Sequence, residues 1–495
     1  MKNMQAQTVI LTEQNREESE SVFKRVVQAG IEFKLGRNVR ASGETLGDPK
    51  ELMRAALPES GKPIETVLEE FIQDVLPHCY NFASPQFMGF PDAGNSVAAL
   101  AGAILSEFLQ QNLINQSFCS PSGTFVEIAV INWLRQVVGY DAVNPDDIFG
   151  VGGIITSGGT ASNAIAMMLA RENLRASMKD GVDGDYYLVV PEGIGHYSVK
   201  SAQMWIGCGN KLLEVPIKGY RYDLQALEET LTRYRGRVMA VVAYAGDSRT
   251  MTVDNLEDIV ALRNRIDPSV WLHADAAHGF SLGFSKELSK KIKGIELFDS
   301  ITADPHKVMN VPYTISGLLV RDPSRLRTIA SESDLIMKER YAFGQITPFI
   351  GSKPWSSLKL WFAMKSIGIQ GYGEIIEHRH ALALTLQDMI DESEDFTMIN
   401  RVAINSVAFM YHPKELGNNV EALNTLNQAL REKMLVDGTY HLHQFSITDD
   451  GAVEKGAVIY PLRYMNGNPA TTESDLRNLL EYIRRIGGEL NVKPN

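Results

Sequence analysis

The chain has 495 residues, enough for two or three domains, and its 44% apolar and 22% charged content is typical of a globular protein rather than a disordered one. The formal net charge of −12 excludes general nucleic-acid binding, which needs clustered positive charge. Three widely spaced cysteines, Cys79, Cys119 and Cys208, favour a reducing compartment. The N-terminal segment is a poor signal peptide and no apolar stretch is long enough to span a bilayer, so we expect a cytoplasmic protein without a membrane partner.

Three parts follow one another along the chain. Residues 1–95 are charged and helix-prone, and they end in an irregular segment rich in proline, glycine and aromatic residues. Residues 96–355 alternate short β-rich runs with amphipathic helical stretches. The runs are "YYLVV" (186–190), "RVMAVVAYA" (237–245), "SVWLHA" (269–274), "DSITA" (299–303) and "SGLLV" (316–320). Strands buried on both faces and separated by helices predict an α/β domain with a mainly parallel sheet. Residues 356–495 open with a long helical stretch, "SSLKLWFAMKSIG" (356–368), and predict a smaller α+β domain.

The segment "TSGGTASN", residues 156–163, precedes a predicted helix. Its paired glycines allow close backbone approach, and Thr160 and Ser162 add hydroxyl donors. Free N–H groups at a helix N-terminus bind phosphate well, so the segment is a candidate phosphate site. An ordinary glycine-rich turn with a capping residue is the alternative interpretation.

The next segment in chain order is "PEGIGHYSVK", residues 191–200, which follows a predicted strand. Its His196 precedes a helical stretch, where an imidazole can stack on a planar ring or carry a proton. A histidine with a purely structural role is the competing interpretation. Ligands of parallel sheets bind at the carboxyl ends of strands, which favours a role of His196 in ligand binding.

The segment "LHADAAHG", residues 272–279, also lies at a strand end. Asp275 is followed by two alanines, small enough for a flat ring to pack on the backbone, and its carboxylate can hold a heterocyclic nitrogen protonated. The spacing of His273, Asp275 and His278 leaves a metal site of a hydrolase as an alternative. Strand alternation places His273 and Asp275 on one side, which keeps this alternative open.

The segment "TADPHKVMN", residues 302–310, carries Lys307 away from the end of a β run. A lysine whose pKa is lowered by burial is a usable nucleophile and forms a Schiff base with an aldehyde. A solvated surface lysine is the alternative. A phosphate cradle, a carboxylate for a ring nitrogen, a Schiff-base lysine and a stacking imidazole together describe the requirements of pyridoxal 5′-phosphate.

Four motifs, "TSGGTASN", "GHYSVKSAQMWIG", "HADAAHG" and "DPHK", resemble in sequence and order those of the group II pyridoxal-phosphate-dependent amino-acid decarboxylases. The family includes glutamate, aromatic-amino-acid, cysteine-sulfinate and diaminobutyrate decarboxylases, and the resemblance spans roughly residues 60–385. It implies the fold type I architecture of aspartate aminotransferase, an α/β fold with a mainly parallel seven-stranded sheet and a smaller C-terminal α+β domain. It also implies a homodimer with the active site at the subunit interface and the N-terminal segment wrapped around the partner.

The resemblance implies a role for each matching residue around the cofactor. These are Lys307 as the Schiff-base lysine, Asp275 at the pyridine nitrogen, His196 and Ala277 on the two ring faces, Gly159, Thr160 and Asn163 along the phosphate, Asp304 and His306 beside the lysine, and Gly351 and Ser352 approaching the neighbouring subunit's cofactor.

Phe87 and Phe90 would line the substrate side, and the stretch 330–351 would form a mobile lid with Tyr341 as the proton donor. The expected reaction is decarboxylation of an L-amino acid to an amine and carbon dioxide. Other chemistry on the same cofactor stays open, namely oxidative deamination to an aldehyde or C–C bond cleavage. Arg249, in a loop near the cofactor, could pair with an acidic substrate, although a solvated surface role is also open.

Overall fold

The computed structural model describes residues 10–40, 48–92, 94–176, 186–207, 211–331, 333–334, 338–465 and 467–491. Cys208 lies outside the described residues, as do parts of the N-terminal segment and of the predicted lid between 330 and 351. Within the described ranges, no helix is both long and apolar enough to cross a membrane.

A seven-stranded sheet forms the centre of the larger core. Its strands are β1 (Gly153–Thr156), β2 (Tyr187–Pro191), β3 (Leu212–Val215), β6 (Val238–Tyr244), β7 (Trp271–Asp275), β8 (Ser300–Ala303) and β9 (Ser316–Val320), in the order β1-β9-β8-β7-β6-β2-β3, and β4 (Ile217–Lys218) and β5 (Arg221–Tyr222) form a separate hairpin. Strands β3, β2, β6, β7 and β8 are parallel, whereas β9 pairs antiparallel with both β8 and β1. This arrangement confirms the predicted α/β fold with a mainly parallel sheet.

Helices cover the sheet because its strands are apolar on both faces. All seven residues of β6, "VMAVVAY", are buried, as expected when each face of a strand packs on helices. The helices are α1 (Arg16–Leu35), α2 (Ile64–Glu70), α3 (Val97–Leu109), α4 (Gly123–Val137), α5 (Gly159–Ala176), α6 (Tyr197–Trp205), α7 (Leu224–Arg233), α8 (Leu256–Ile266), the one-turn α9 (Pro305–Val308), α10 (Ser357–Asp391), α11 (Val420–Asp437) and α12 (Glu473–Asn491).

The C-terminal part has its own sheet and its own core. Its strands β10 (Phe396–Met398), β11 (Ser406–Tyr411), β12 (His443–Gln444) and β15 (Leu462–Met465) are ordered β10-β11-β15-β12, and β13 (Ile447–Thr448) pairs with β14 (Val458–Ile459). Helix α10 joins the two cores, since Leu360 and Tyr372 pack in the larger one and Leu386 and Ile390 in the smaller one. The division of the chain at residues 95 and 355 stays a prediction.

The parallel strands bring four chain segments to one edge of the sheet. Tyr244, Asp275 and Ala303 are the last residues of the adjacent strands β6, β7 and β8, and His196 follows β2. Because parallel neighbours end at the same edge, residues that are far apart in sequence meet there. Short α9 then carries Lys307 across this edge.

Candidate active site

A cavity of about 400 Å³ lies at this carboxyl edge. Ten of the residues that the sequence assigned to the site line it: Lys307, Asp275, His196, Ala277, Gly159, Thr160, Asn163, Asp304, His306 and Phe90. They come from the ends of β2, β7 and β8, from the first turns of α5 and from the connector before α3. The sequence motifs therefore converge on one place.

Lys307 faces Asp304 across the first turn of α9. Its Nζ lies 2.8 Å from Asp304 Oδ2, and 28% of the lysine side chain is exposed to the cavity whereas Asp304 is buried. Burial alone would lower the pKa of Lys307, but the carboxylates of Asp304, Asp275 and Asp92 outweigh it and raise the pKa above its ordinary value. The expectation that burial lowers this pKa is therefore wrong, because a paired lysine is stabilised as the ammonium.

Asp304 sits between the lysine and the glycine-rich turn. Burial would raise the pKa of its carboxyl, yet Lys307 and His306, with the Ser316 hydroxyl that donates to Oδ1, lower it, so the group is ionised. At Gly159, a Cβ atom would lie 2.8 Å from Asp304 Oδ2. The first residue of α5 therefore has to be glycine for the turn to approach Asp304 this closely.

Asp275 accepts hydrogen bonds from two partners. The Asn163 side-chain amide donates to Oδ2 over 2.9 Å, and the Ala277 backbone N–H donates to Oδ1 over 3.3 Å. The second amide hydrogen of Asn163 goes to Ser198 Oγ at 2.8 Å. Both hydrogens are used within the protein, so Asn163 contacts the Asp275 carboxylate here, and its predicted role along the phosphate stays a prediction.

His196 is the N-cap of α6. Its Nδ1 lies 2.6 Å from Ser198 Oγ, and its backbone N–H donates to the Tyr244 hydroxyl over 2.8 Å. Burial lowers the pKa of His196, and Lys307 lowers it further while Asp275 opposes the shift. The imidazole is therefore held in one orientation at the cavity wall as the neutral base.

The alternative metal site is not formed. His273 is fully buried on β7, where its Nδ1 lies 2.8 Å from Ser300 Oγ and its Nε2 lies 3.0 Å from Asn163 Oδ1, so neither nitrogen is free to bind a metal. Burial lowers the pKa of His273 to about 4. Across the described ranges, no group of three or more histidine, cysteine and acidic side chains could hold a metal ion.

The loop after β6 also lines the cavity. Buried Asp247 accepts hydrogen bonds from the backbone N–H groups of Arg249 (2.7 Å), Thr250 (2.9 Å) and Thr252 (2.8 Å), which closes the loop on itself. Arg249 is half-buried, and its Nε donates to Ser446 O at 3.2 Å. Arg249 is thus engaged with the C-terminal part of the chain, and its pairing with an acidic substrate stays a prediction.

Arg463 on β15 and Tyr313 are among the wall residues that the sequence did not predict. Arg463 is buried, which lowers its pKa to about 10, and it donates to the carbonyl oxygens of Ser248 and Gly89. Tyr313 bonds the buried Asp92, and burial raises the pKa of both groups. No local pattern identifies either residue, because Arg463 reaches the cavity from another sheet and Tyr313 from the loop after α9.

Tyr341, Gly351, Ser352 and Phe87 were also predicted, and none of them lines the cavity of a single chain. Tyr341 donates from its hydroxyl to Pro145 O over 3.0 Å and its ring contacts Phe125. Ser352 is exposed on the segment before α10. Phe87 is buried and stacks on His441, with 4.9 Å between ring centroids, and its contact with a substrate stays a prediction.

Known proteins resemble this chain in sequence and in fold. The family model described as the pyridoxal-dependent decarboxylase conserved domain matches residues 47–412. The chain is 29% identical to L-2,4-diaminobutyrate decarboxylase of Acinetobacter baumannii, with 75% of each protein covered. It is 25% identical to aromatic-L-amino-acid decarboxylase of Bacillus atrophaeus, with 88% of each covered.

Among solved structures, mouse CSAD in its apo form superposes with a TM-score of 0.84 at 24% identity, covering 95% of this chain and 99% of that one. This likeness shows the shared fold. Because the family model spans well over half of the 495 residues, the assignment does not depend on any single relative. The chain therefore belongs to the pyridoxal-dependent decarboxylase family, and it is a carboxy-lyase that uses pyridoxal 5′-phosphate.

Proposed function

We propose that the protein removes the α-carboxyl group of an L-amino acid as carbon dioxide and releases the corresponding amine. The observation that carries this proposal is the meeting of Lys307, Asp275 and His196 in one cavity from three separate elements. The named reactions of the relatives, on diaminobutyrate and on aromatic amino acids, support an amino-acid substrate. They do not agree on a side chain, so we propose the class and not the individual amino acid.

The described residues fit pyridoxal 5′-phosphate in two respects. Lys307 supplies the amine that bonds to the aldehyde, and Asp275, an acceptor held by Asn163, suits a protonated ring nitrogen. When bound, the cofactor withdraws the electron pair that the departing carbon dioxide leaves behind. The ionised Asp275 stabilises that charge distribution by keeping the proton on the ring nitrogen.

The other end of the cavity suits the phosphate. The N-terminus of α5 begins at Gly159, directly after the turn, so the free backbone N–H groups of Gly159 and Thr160 and the Thr160 hydroxyl are the donors we assign to it. His306 lines the same cavity next to Lys307. Asp304 is ionised and forms an ion pair with Lys307, so we propose that it stabilises the lysine and does not contact the phosphate.

Arg463 is the residue we assign to a carboxylate of the substrate. It is a cation that lines the cavity beside Phe90, with its Cζ 6.0 Å from the phenyl centroid. Burial lowers its pKa only to about 10, so the guanidinium keeps the positive charge that would attract a carboxylate. Phe90, Met251 and Met465 supply the apolar part of the wall, against which the rest of the substrate would pack.

The return of a proton to the substrate needs an acid, and we propose Tyr341 for this role. Its hydroxyl donates to Pro145 O, outside the cavity of its own chain. We therefore propose that Tyr341 donates the proton in the active site of a second subunit. Exposed apolar side chains support such a homodimer: Phe23 and Ile31 on α1, and Ile104 and Phe108 on α3. We propose that Gly351 and Ser352 approach the second subunit's cofactor in the same assembly.

The test is a carbon-dioxide release screen over amino acids with the purified protein, in which amine and aldehyde products are distinguished. We expect a yellow protein whose visible absorbance is abolished by borohydride, with the reduced cofactor recovered on the Lys307 peptide by mass spectrometry. Lys307→Ala should lose both signals. A Lys307→Ala variant that still released carbon dioxide at the normal rate would refute the assignment of the lysine. An aldehyde product in place of the amine would show that the reaction is oxidative deamination and would overturn the proposed reaction.

A further inference from the structure

A single amide links the two residues that we assign to the cofactor ring. Asn163 Nδ2 donates to Asp275 Oδ2 over 2.9 Å and to Ser198 Oγ over 2.8 Å, and Ser198 Oγ lies 2.6 Å from His196 Nδ1. Asn163 and Ser198 are almost completely buried. The ring-nitrogen carboxylate and the stacking imidazole are therefore connected through buried side chains and not through solvent.

The same amide continues in the opposite direction into the sheet. Asn163 Oδ1 accepts from Thr302 Oγ1 at 2.7 Å and lies 3.0 Å from His273 Nε2. His273 Nδ1 lies 2.8 Å from Ser300 Oγ, which accepts from Trp271 Nε1 at 2.8 Å. Strands β7 and β8 hold these side chains in register, because His273 is paired with Ser300.

The donor and acceptor groups allow these hydrogen bonds to run in only one direction. Asp275 accepts from the Ala277 N–H and Asn163 Oδ1 accepts from Thr302 Oγ1, so the Asn163 group that faces Asp275 is the NH₂ and the amide oxygen faces His273 and Thr302. A neutral His273 then carries its proton on Nε2 and accepts from the Ser300 hydroxyl at Nδ1. At the far end the Trp271 indole can only donate, which is consistent with the same assignment.

The branch to His196 follows the same logic. Ser198 Oγ accepts from Asn163, and among the described residues the only acceptor within reach of its own hydrogen is His196 Nδ1. The Ser198 backbone N–H also points at Nδ1, over 3.4 Å, as expected if this nitrogen accepts. Nδ1 is therefore unprotonated, and a neutral His196 carries its proton on Nε2.

We propose that the hydrogen bonds running from Trp271 through Ser300 and His273 to Asn163 form a positioning chain that keeps Asp275 an acceptor and fixes His196 as the Nε2–H tautomer. The inference rests on the proposed function, since it takes the roles of Asp275 and His196 toward the cofactor ring from there. The ionised carboxylate holds the ring nitrogen protonated, and the neutral imidazole adds no second positive charge beside it. Asn163 is the branch point that sets both conditions at once.

Neutron diffraction from crystals of the full-length, cofactor-loaded protein in deuterated buffer tests the assignment directly. We expect deuterium on Nε2 of His273 and of His196, and none on Nδ1 of either ring. Deuterium on either Nδ1, or an Asn163 amide turned with its oxygen toward Asp275, would overturn the proposal. The hydrogen positions are read whether or not Lys307 carries the cofactor, so this result is independent of the proposed function.

Substitution at the branch point supplies a second readout, the cofactor dissociation constant as a function of pH. Asn163→Asp replaces the donor with a second carboxyl, and we expect at least a ten-fold weaker binding at neutral pH, as for a lost hydrogen bond to a charged group. The loss should shrink as the pH falls, because one of the two carboxyls then takes up a proton and donates to the other.

Asn163→Ala is the matched variant, since it removes the donor without adding a carboxyl, and its deficit should not recover at low pH. Ser281→Ala removes a buried hydroxyl that donates to His278 O at 2.8 Å, outside the chain of hydrogen bonds, and should bind the cofactor as the parent protein does. An Asn163→Asp deficit that is the same at every pH would sink the positioning role.

Discussion

The ion pair of Lys307 and Asp304 sets the charge of the lysine before the cofactor binds. The two atoms lie 2.8 Å apart, and Asp304 is the largest of the influences that raise the pKa of Lys307. The amine bonds to an aldehyde only after it loses its proton. Binding of the cofactor to the empty protein should therefore become faster as the pH rises toward this elevated pKa.

Asp304→Asn is expected to lower the pKa of Lys307, because it removes the closest negative charge while burial remains. The pH dependence of the rate of cofactor binding should move down by roughly one unit or more. Stopped-flow absorbance with cofactor-free protein measures it. Ser316→Ala removes the hydroxyl that donates to Asp304 but keeps the carboxylate, so it is the control and should leave the profile near that of the parent. An unchanged profile in Asp304→Asn would contradict this account.

Buried histidines make the molecule sensitive to acid. Burial lowers the pKa of His441 to about 4, with Arg431 and Arg463 adding to the shift. The unfolded chain takes up the proton near the ordinary value of about 6.5, whereas the folded chain does not until about 4. The free energy of unfolding should therefore fall as the pH drops from about 6.5 to 4, by up to about 3 kcal/mol for this residue.

His441→Phe tests this expectation, because a phenyl ring can keep the stacking on Phe87 but does not titrate. Urea unfolding measured between pH 7 and 4 should show a shallower loss of stability in the variant. The comparison uses the slope with pH, so a constant change in stability from repacking does not affect it. Equal slopes in the two proteins would show that His441 titrates alike in the folded and unfolded states.

At the scale of single residues, the sequence predicted the site residues whose position depends on the strand directly before them. Lys307, Asp275 and His196 each come directly after a β run, and the ends of parallel strands meet at one edge. The contacts of Asn163 were not predictable, because its partners Asp275 and Ser198 lie 112 and 35 residues further along the chain. The pKa of Lys307 was mispredicted for a related reason: burial was foreseen, but not the geometry of its ion pair.

Three elements are joined by a buried ion pair next to the predicted cofactor turn. Lys353 Nζ lies 2.9 Å from Glu127 Oε1 on α4 and donates to Ile155 O on β1 over 2.7 Å. Ser357, the first residue of α10, donates to Glu127 Oε2 over 2.9 Å. The pair thus fixes the segment before α10, which carries Ser352, relative to the start of the sheet.

Lys353→Met should lower the free energy of unfolding by about 3 to 5 kcal/mol, because it leaves Glu127 buried without its cation. Burial already raises the pKa of Glu127 against the opposing effect of Lys353, and loss of the lysine removes that opposition. The double variant Glu127→Leu with Lys353→Met should recover much of the loss, since an apolar pair needs no desolvation of charge. Chemical denaturation of the three variants measures both values; a double variant no more stable than the single one would contradict the argument.

At the scale of elements, continuous apolar runs were sufficient to find β2, β6, β7, β8 and β9. Strands β1 and β3 were not predicted, because β1 begins with glycine and β3 is an edge strand in which only the last residue is buried. Helix α10 was foreseen only as its first part, and the structure extends it to Asp391 across a non-helical Gly368. Its extent depends on packing in both cores, which a local pattern does not contain.

At the scale of the whole molecule, helices α1, α3 and α4 and the segment before α4 expose aromatic side chains to solvent. Helices α1 and α3 expose Phe23 and Phe108, whose rings contact each other with centroids 5.1 Å apart, and Phe118 and Phe125 are exposed before and within α4. Exposed aromatic side chains that cluster in this way often mark an interface. Tyr341 packs on Phe125, so the proposed proton donor belongs to the same surface. We therefore expect loss of the homodimer to impair proton donation by Tyr341.

Phe118→Asp should therefore separate the subunits and reduce carbon-dioxide release together. The side chain is 68% exposed in one chain, so a charge there costs little in the monomer but would be buried without a partner in a dimer. Sedimentation equilibrium should show a dimer for the parent and a shift of at least ten-fold in the dimer dissociation constant for the variant. Val436→Asp, at a similarly exposed position (74%) on α11, is the matched control and should stay dimeric and active. A monomeric variant with full activity would show that one chain carries a complete site, and Tyr341 and Ser352 would then have no part in it.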